Sequence, residues 1–163
     1  MMASPVIYIS KYASPLGMLT LASDAQALCG VWFDGQKHFG QGAAGSWEEK
    51  EVPVLTQTKH WLDLYFSGQV PDFLPPLRPE GSPFAKSVWA YLLTIPYGTT
   101  LTYGQIAQQL GCRSAQAVGG AVGRNPISIL VPCHRVVGSN GALTGYAGGI
   151  QRKHGLLQLE QGR

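Results

Sequence analysis

Ile127-Ser128-Ile129-Leu130-Val131-Pro132-Cys133-His134-Arg135 sets an apolar run directly before a thiol, an imidazole and a guanidinium. Positive charge and hydrogen bonding beside a cysteine lower its pKa and favour the thiolate, the form that attacks electrophiles. A buried cysteine packing as a small hydrophobe is the ordinary alternative. The apolar run reads as a buried strand or extended segment, in which adjacent side chains point to opposite faces. Contact between Cys133 and His134 therefore needs a turn or a bridging water. A histidine acting as base also needs an acceptor to orient it. Residues 81–163 contain one acidic residue, Glu160, so a Cys133–His134–Glu160 set requires the C-terminal segment to fold back on the thiol. Asn125, just upstream, is placed to brace this segment through its amide.

Charge is lopsided around this stretch. Residues 81–163 hold seven Lys/Arg against that one Glu, a net +6, whereas residues 1–80 hold five Lys/Arg against eight Asp/Glu, a net −3. An electropositive unit favours a polyanion partner and locates the binding half. With 163 residues, 45% of them hydrophobic and 13% charged, the chain reads as globular and not disordered. No apolar run approaches the roughly 20 residues of a membrane helix, and no membrane partner is expected. Met1-Met2-Ala3-Ser4-Pro5 lacks a positive region followed by an apolar core, so no signal peptide is expected. Three cysteines, Cys29, Cys112 and Cys133, are an odd, sparse set. They point to a reducing compartment, the cytoplasm, and not to a disulfide framework. No CxxC or HExxH spacing occurs, so neither a metal nor another cofactor is expected.

The first half reads as strands followed by a helix. Val6–Ile9, the turn Ser14-Pro15-Leu16-Gly17 and Met18–Leu21 predict a hairpin, and Leu28–Phe33 a third strand. Residues 34–50 are Gly-rich and polar, a surface loop. Leu55, Leu62, Tyr65 and Phe66 predict a helix from Pro53 to Phe66. Pro71, Pro75, Pro76 and Pro79 make a stiff linker, and the sign of the charge changes there. The predicted boundary lies at residue 80: an α/β domain with a small antiparallel sheet over 1–80, and a mainly α domain over 81–163.

In the second half, Ser82 caps and Pro83 opens a helix with Phe84, Val88, Tyr91, Leu92 and Ile95 on its apolar face. A short helix over Thr102–Leu110, the turn Gly111-Cys112-Arg113 and a helix from Ser114 match a helix-turn-helix. That last helix carries almost no bulk, and each of Gly119 and Gly120 costs roughly 1 kcal/mol relative to alanine. Small side chains admit either another helix or a nucleic-acid groove at close range, and the narrow minor groove suits so slim a surface. The glycine-rich run Gly138–Gly149 contains Tyr146, whose ring can stack and whose phenol can donate. Backbone amides with one phenol suit a flat heteroaromatic base.

These residues together resemble the O6-alkylguanine-DNA alkyltransferases, also called methylated-DNA–protein-cysteine methyltransferases. The motif is Ile129-Leu130-Val131-Pro132-Cys133-His134-Arg135-Val136-Val137, continued by Thr144-Gly145-Tyr146-Ala147-Gly148-Gly149. The resemblance implies a ribonuclease H-like N-terminal domain and a winged helix-turn-helix in the C-terminal one. It implies double-stranded DNA with an alkylated guanine as partner, approached from the minor groove by a monomer. Cys133 would take the alkyl group irreversibly from guanine O6, or from thymine O4, after the base flips out. Glu160 would orient His134, which would deprotonate Cys133 through a water, while Tyr146 would protonate or hydrogen-bond the departing base. The carbonyls of Cys133 and Val136 would take the exocyclic amine, Ala147 would line the pocket, and Asn125 would brace the helices. Tyr103, Ser114, Ala115, Gln116, Gly119 and Arg135 would meet the DNA. Gln116 stands where the family usually has an intercalating arginine, and Ala147 where some members have a hydroxyl. A lesion sensor of the same fold would lack the cysteine, and a thiol hydrolase would turn over.

Overall fold

The computed structural model describes residues 6–112 and 114–162. Met1–Pro5, Arg113 of the turn and Arg163 lie outside them, and with them the reading of the N-terminus. β1 (Val6–Ser14) and β2 (Gly17–Ser23) form the hairpin, and β3 (Leu28–Phe33) pairs antiparallel with β2. The two-residue turn Pro15-Leu16 is closed by Gly17, whose φ of +130° favours glycine. β4 (Ser46–Glu49) lies in the region expected to be loop and runs parallel to β1. The sheet is therefore mixed, in the order β3-β2-β1-β4, and not purely antiparallel. All four residues of β4 are exposed, so no apolar alternation announces this strand.

β3 is buried throughout because its outer edge is paired. The proline-rich linker runs along it, with Leu28 N–H donating to Pro76 O and Arg78 N–H to Leu28 O, each at 2.8 Å. Further along, Val31 N–H donates to Pro126 O at 2.9 Å and Ser128 N–H to Val31 O at 3.0 Å. Orphan edge groups of the first half thus hold the segment that leads into Cys133.

α1 (Pro53–Phe66) begins with proline at its first turn and buries Val54, Leu55, Thr58, Trp61, Leu62 and Tyr65. α2 (Pro83–Leu92) is capped by Ser82, which accepts from Ala85 N–H at 3.1 Å. Its buried face is Ala85, Val88, Trp89 and Leu92, so the stripe is turned from the expected one and Phe84 is exposed. The Trp89 indole donates to Ala121 O at 2.9 Å and ties α2 to α4. β5 (Leu101–Thr102) leads into α3 (Tyr103–Gln109) through a capping box of Thr102 and Gln105. α4 (Ala115–Gly123) is capped by Ser114. β6 (Val136–Val137) pairs parallel with β5, and α5 (Ile150–Glu160) closes the chain.

The main core runs through both halves, joining Leu28, Val31 and Leu62 to Val88, Ile106, Val118, Ile127, Cys133 and Leu156. A smaller cluster of Ile7, Ala22, Cys29, Trp32 and Ala43 forms apart from it.

Candidate active site

Residues 127–131 are buried, but they form a knot of turns and not a strand. The cause is Asn125. Its amide donates to Val131 O at 2.8 Å and Ile127 O at 3.3 Å, and its carbonyl accepts from Ile127 N–H at 3.0 Å. One side chain thus replaces a strand partner. Ile129, at φ +73°, takes the left-handed turn that this knot demands. The chain leaves it through a single 3-10 turn, Cys133–Arg135, which supplies the bend expected between thiol and imidazole.

α5 does fold back. Glu160, at its last turn, faces His134 with Oε2 2.5 Å from Nε2, both side chains fully buried. Tyr65 donates its hydroxyl to the same oxygen at 2.6 Å. Arg135 donates to Oε1 from Nε at 2.7 Å and to Oε2 from a terminal nitrogen at 3.1 Å, and Gly98 N–H reaches Oε1 at 3.1 Å. Gly98 sits at φ +80°, in the left-handed region. Burial alone would raise the Glu160 carboxyl, but His134 first, then Arg135 and Tyr65, hold it well below the usual carboxylate range. His134 is pushed down by burial, against the pull of Glu160, and rests neutral. Its Nδ1 is buried with no hydrogen-bond partner among the described residues.

Two expectations need correction. Arg135 does not face outward toward a polyanion: its other terminal nitrogen donates to Ile95 O at 2.8 Å, and the side chain is 11% exposed. A guanidinium spent inside on a carboxylate cannot also clamp a phosphate. Nor is the resting thiol acidified. Burial pushes Cys133 up, and the Asn125 amide and the Lys153 charge only partly offset that. The Arg135 charge that promised otherwise is neutralised by Glu160. A sulfur of this kind depends on a base.

Part of the Gly138–Gly149 segment borders a cavity. This cavity, of about 390 Å³, is lined by Lys37, His38, Tyr103, Gly119, Gly123, Thr144, Gly145, Tyr146 and Ala147. Cys133 is 4% exposed and is not among the lining residues. Tyr146 connects the two: it lines the cavity, its hydroxyl is buried, and it lies close enough to Cys133 that a thiolate there would hold the phenol protonated. Burial keeps this phenol protonated far above its ordinary range. A Cβ on Gly148 would stand 2.8 Å from the Tyr146 ring and 2.9 Å from Phe33, so only glycine lets the ring lie there. The Val136 carbonyl already accepts Lys153 Nζ at 2.6 Å and the Cys133 carbonyl accepts Val136 N–H, which leaves each oxygen one further lone pair.

On α4, Ser114, Ala115 and Gln116 are exposed at the first turn. Gly119 faces the Tyr103 ring at an ordinary contact distance, and nothing lies near Gly123. Helix packing inside the protein therefore does not demand these glycines.

Two contributors escaped the sequence. Tyr65 reaches the carboxylate from α1 in the first half, where its helical spacing marked it only as core. Lys153, wholly buried, donates to Val136 O and, at 2.9 Å, to Thr144 O, which ties the glycine-rich loop to α5. A lysine in a basic helix gives no sign of burial.

A thiol followed in the chain by a buried imidazole that is paired with a carboxylate is the kind of arrangement found in proteins with a cysteine nucleophile. The family model for 6-O-methylguanine DNA methyltransferase, ribonuclease-like domain, matches residues 7–79, and that for its DNA binding domain matches residues 83–162. A methylated-DNA–protein-cysteine methyltransferase of Methanosarcina acetivorans is 46% identical over 156 residues, covering 94% of this chain and 98% of its own. The crystal structure of Mycobacterium tuberculosis O6-methylguanine methyltransferase superposes with a TM-score of 0.84 at 41% identity, covering 96% of this chain and 94% of that one. A structure of the M. tuberculosis protein in complex with DNA matches with the same TM-score at 40% identity, covering 96% and 93%. The chain belongs to the 6-O-methylguanine DNA methyltransferase family.

Proposed function

We propose that this chain repairs DNA by moving the alkyl group of O6-alkylguanine, or of O4-alkylthymine, onto Cys133 once and for good. The observation that carries this reading is the state of His134. Its Nε2 is held by Glu160, and its Nδ1 is buried and unpartnered among the described residues, on the residue that follows Cys133 in the 3-10 turn. The relatives' names, which specify methylated DNA and a protein cysteine, support the same chemistry.

In this mechanism a water relays the Cys133 proton to Nδ1. The imidazolium that results is stabilised by Glu160. Sulfur attacks the alkyl carbon in line, the S–C bond forms, and the C–O6 bond breaks with its electron pair going to guanine. Tyr146 gives its proton to the departing base, and the proton taken from Cys133 restores the phenol. The carbonyls of Cys133 and Val136 take the exocyclic amine. Because the thiol is buried and does not line the cavity, entry of the base must shift the loop around residues 143–147. A base inside a duplex must leave the stack to reach such a pocket. No group in the site breaks the new thioether, so each molecule acts once.

The division falls at residue 80, with the thiol and the helix-turn-helix in the second half. α3 and α4 act as a helix-turn-helix with the β5–β6 pair as its wing, and the slim face of α4 enters the minor groove. Tyr103 presses on the phosphate beside the lesion, while Ser114, Ala115, Gln116 and Gly119 meet the DNA. The protein works as a cytoplasmic monomer. No described helix is long and apolar enough to cross a membrane. The test is titration of a duplex carrying one O6-methylguanine. Restored guanine should plateau at the amount of protein added, and a continued rise with time would reject single use.

A further inference from the structure

The cavity that Tyr146 lines is not built by the basic half alone. Lys37 and His38 come from the loop after β3, in the half whose net charge is −3, and they line it together with Tyr103 and Gly119. The loop is held there on three sides. Lys37 N–H donates to Ala147 O at 3.2 Å, which joins it to the glycine-rich segment. Gln36, buried, accepts from Phe33 N–H at 2.8 Å and donates to Lys37 O at 3.2 Å. Phe39 packs on Trp32 and Trp47, with ring centroids 5.5 Å and 6.1 Å away. His38 takes a φ of +62°, a strained choice for a side chain of its size, and its carbonyl accepts from Gln41 N–H at 3.1 Å to close the turn. Both cavity-lining side chains are exposed, and neither has a carboxylate partner among the described residues. The nearby carboxylate Asp34 is occupied by Lys11 and Thr20.

We infer that the 35–41 loop is part of the DNA interface, with Lys37 contacting a backbone phosphate of the strand whose base enters the cavity. This rests on the reading of the cavity as the pocket for that base. An ordered loop that carries an unpaired ammonium to the rim of a base pocket, in a domain otherwise acidic, fits a polyanion that reaches across from α4. The consequence is that both halves grip the DNA, and the first half is more than a scaffold.

The salt dependence of binding to an unmodified duplex tests this. Each phosphate neutralised by a lysine contributes about 0.9 to the slope of log affinity against log salt. Lys37→Ala should lower that slope by about 1 and weaken binding roughly three- to tenfold at low salt. Lys37→Arg should restore both. Lys59→Ala, which removes an equal charge from α1, should change neither. An unchanged slope in Lys37→Ala overturns the inference, including the case where affinity falls, since that would report lost packing and not a lost phosphate contact. Failure of the wild-type protein to take up methyl would instead strike the repair reading, and the two failures are read from different samples.

Discussion

His134 Nε2 and Glu160 Oε2 lie 2.5 Å apart with no exposure of either side chain. Twenty-six positions separate the two residues, so the contact exists only because α5 returns to the 3-10 turn that carries the thiol. The same carboxylate also absorbs the Arg135 charge. Glu160→Gln should therefore do two things. It should lower the methyl-transfer rate by about 10²–10⁴-fold, the range for loss of general-base action. It should also destabilise the fold by about 3–5 kcal/mol, because a buried guanidinium loses its partner. His134→Gln separates the effects: the rate should fall comparably while the Arg135–Glu160 pair survives. Single-turnover assays and urea unfolding read the two.

Stability should depend on pH in two stages. Burial lowers His134, so below its ordinary value near 6.5 the unfolded chain binds a proton that the native state refuses, and stability falls as pH drops from there. Glu160 is held below its ordinary 4.5, so its contribution is present above that value and is lost as pH falls further. Thermal melts from pH 8 to pH 3 should show a plateau, a first decline below about 6.5 and a steeper one below about 4.5. In His134→Gln the first decline should shrink.

Tyr65 should couple the first half to the chemistry of the second. Tyr65→Phe removes a 2.6 Å hydrogen bond to a buried carboxylate, worth about 1.5–3 kcal/mol when the acceptor is charged. Glu160 should titrate higher in that variant. The acid-side decline in stability should move to higher pH, a shift that loss of packing alone would not produce.

Lys153→Met keeps the length of a buried side chain and removes its donor. Val136 O and Thr144 O then lose their shared partner, at about 1–3 kcal/mol. Hydrogen exchange should quicken in residues 142–148, and methyl transfer should slow with it. Equal exchange in variant and wild type would show that the loop is held by other contacts.

Gln116 is exposed at the first turn of α4 and brings no charge. Gln116→Arg should tighten duplex binding and raise the repair rate on duplex relative to that on the free base, since a guanidinium adds charge and stacking. An unchanged ratio of the two rates would remove Gln116 from the DNA face.

Patterns that depend on neighbours in the chain were readable before any coordinates. Leu55, Leu62 and Tyr65 marked α1, Ser82 and Pro83 opened α2, and the scarcity of acids in the second half singled out Glu160. Pairings that depend on distant backbone were not. β4 is a polar edge strand, visible only once β1 offers it a ladder. Residues 127–131 have the composition of a strand, and Asn125 turns them into a knot. Arg135 beside Cys133 suggested an acidic thiol and a contact with DNA. A carboxylate twenty-five positions away takes that charge inside. Local chemistry named the candidate residues, and tertiary contacts decided which charges remained free to act.

The most direct measurement is the intact mass and peptide map of the protein after exposure to a duplex with one O6-methylguanine. The account predicts one added methyl per chain, on the Cys133 peptide, and none in Cys133→Ser. A methyl on Cys29 or Cys112, or restored guanine with no mass gain, would contradict it.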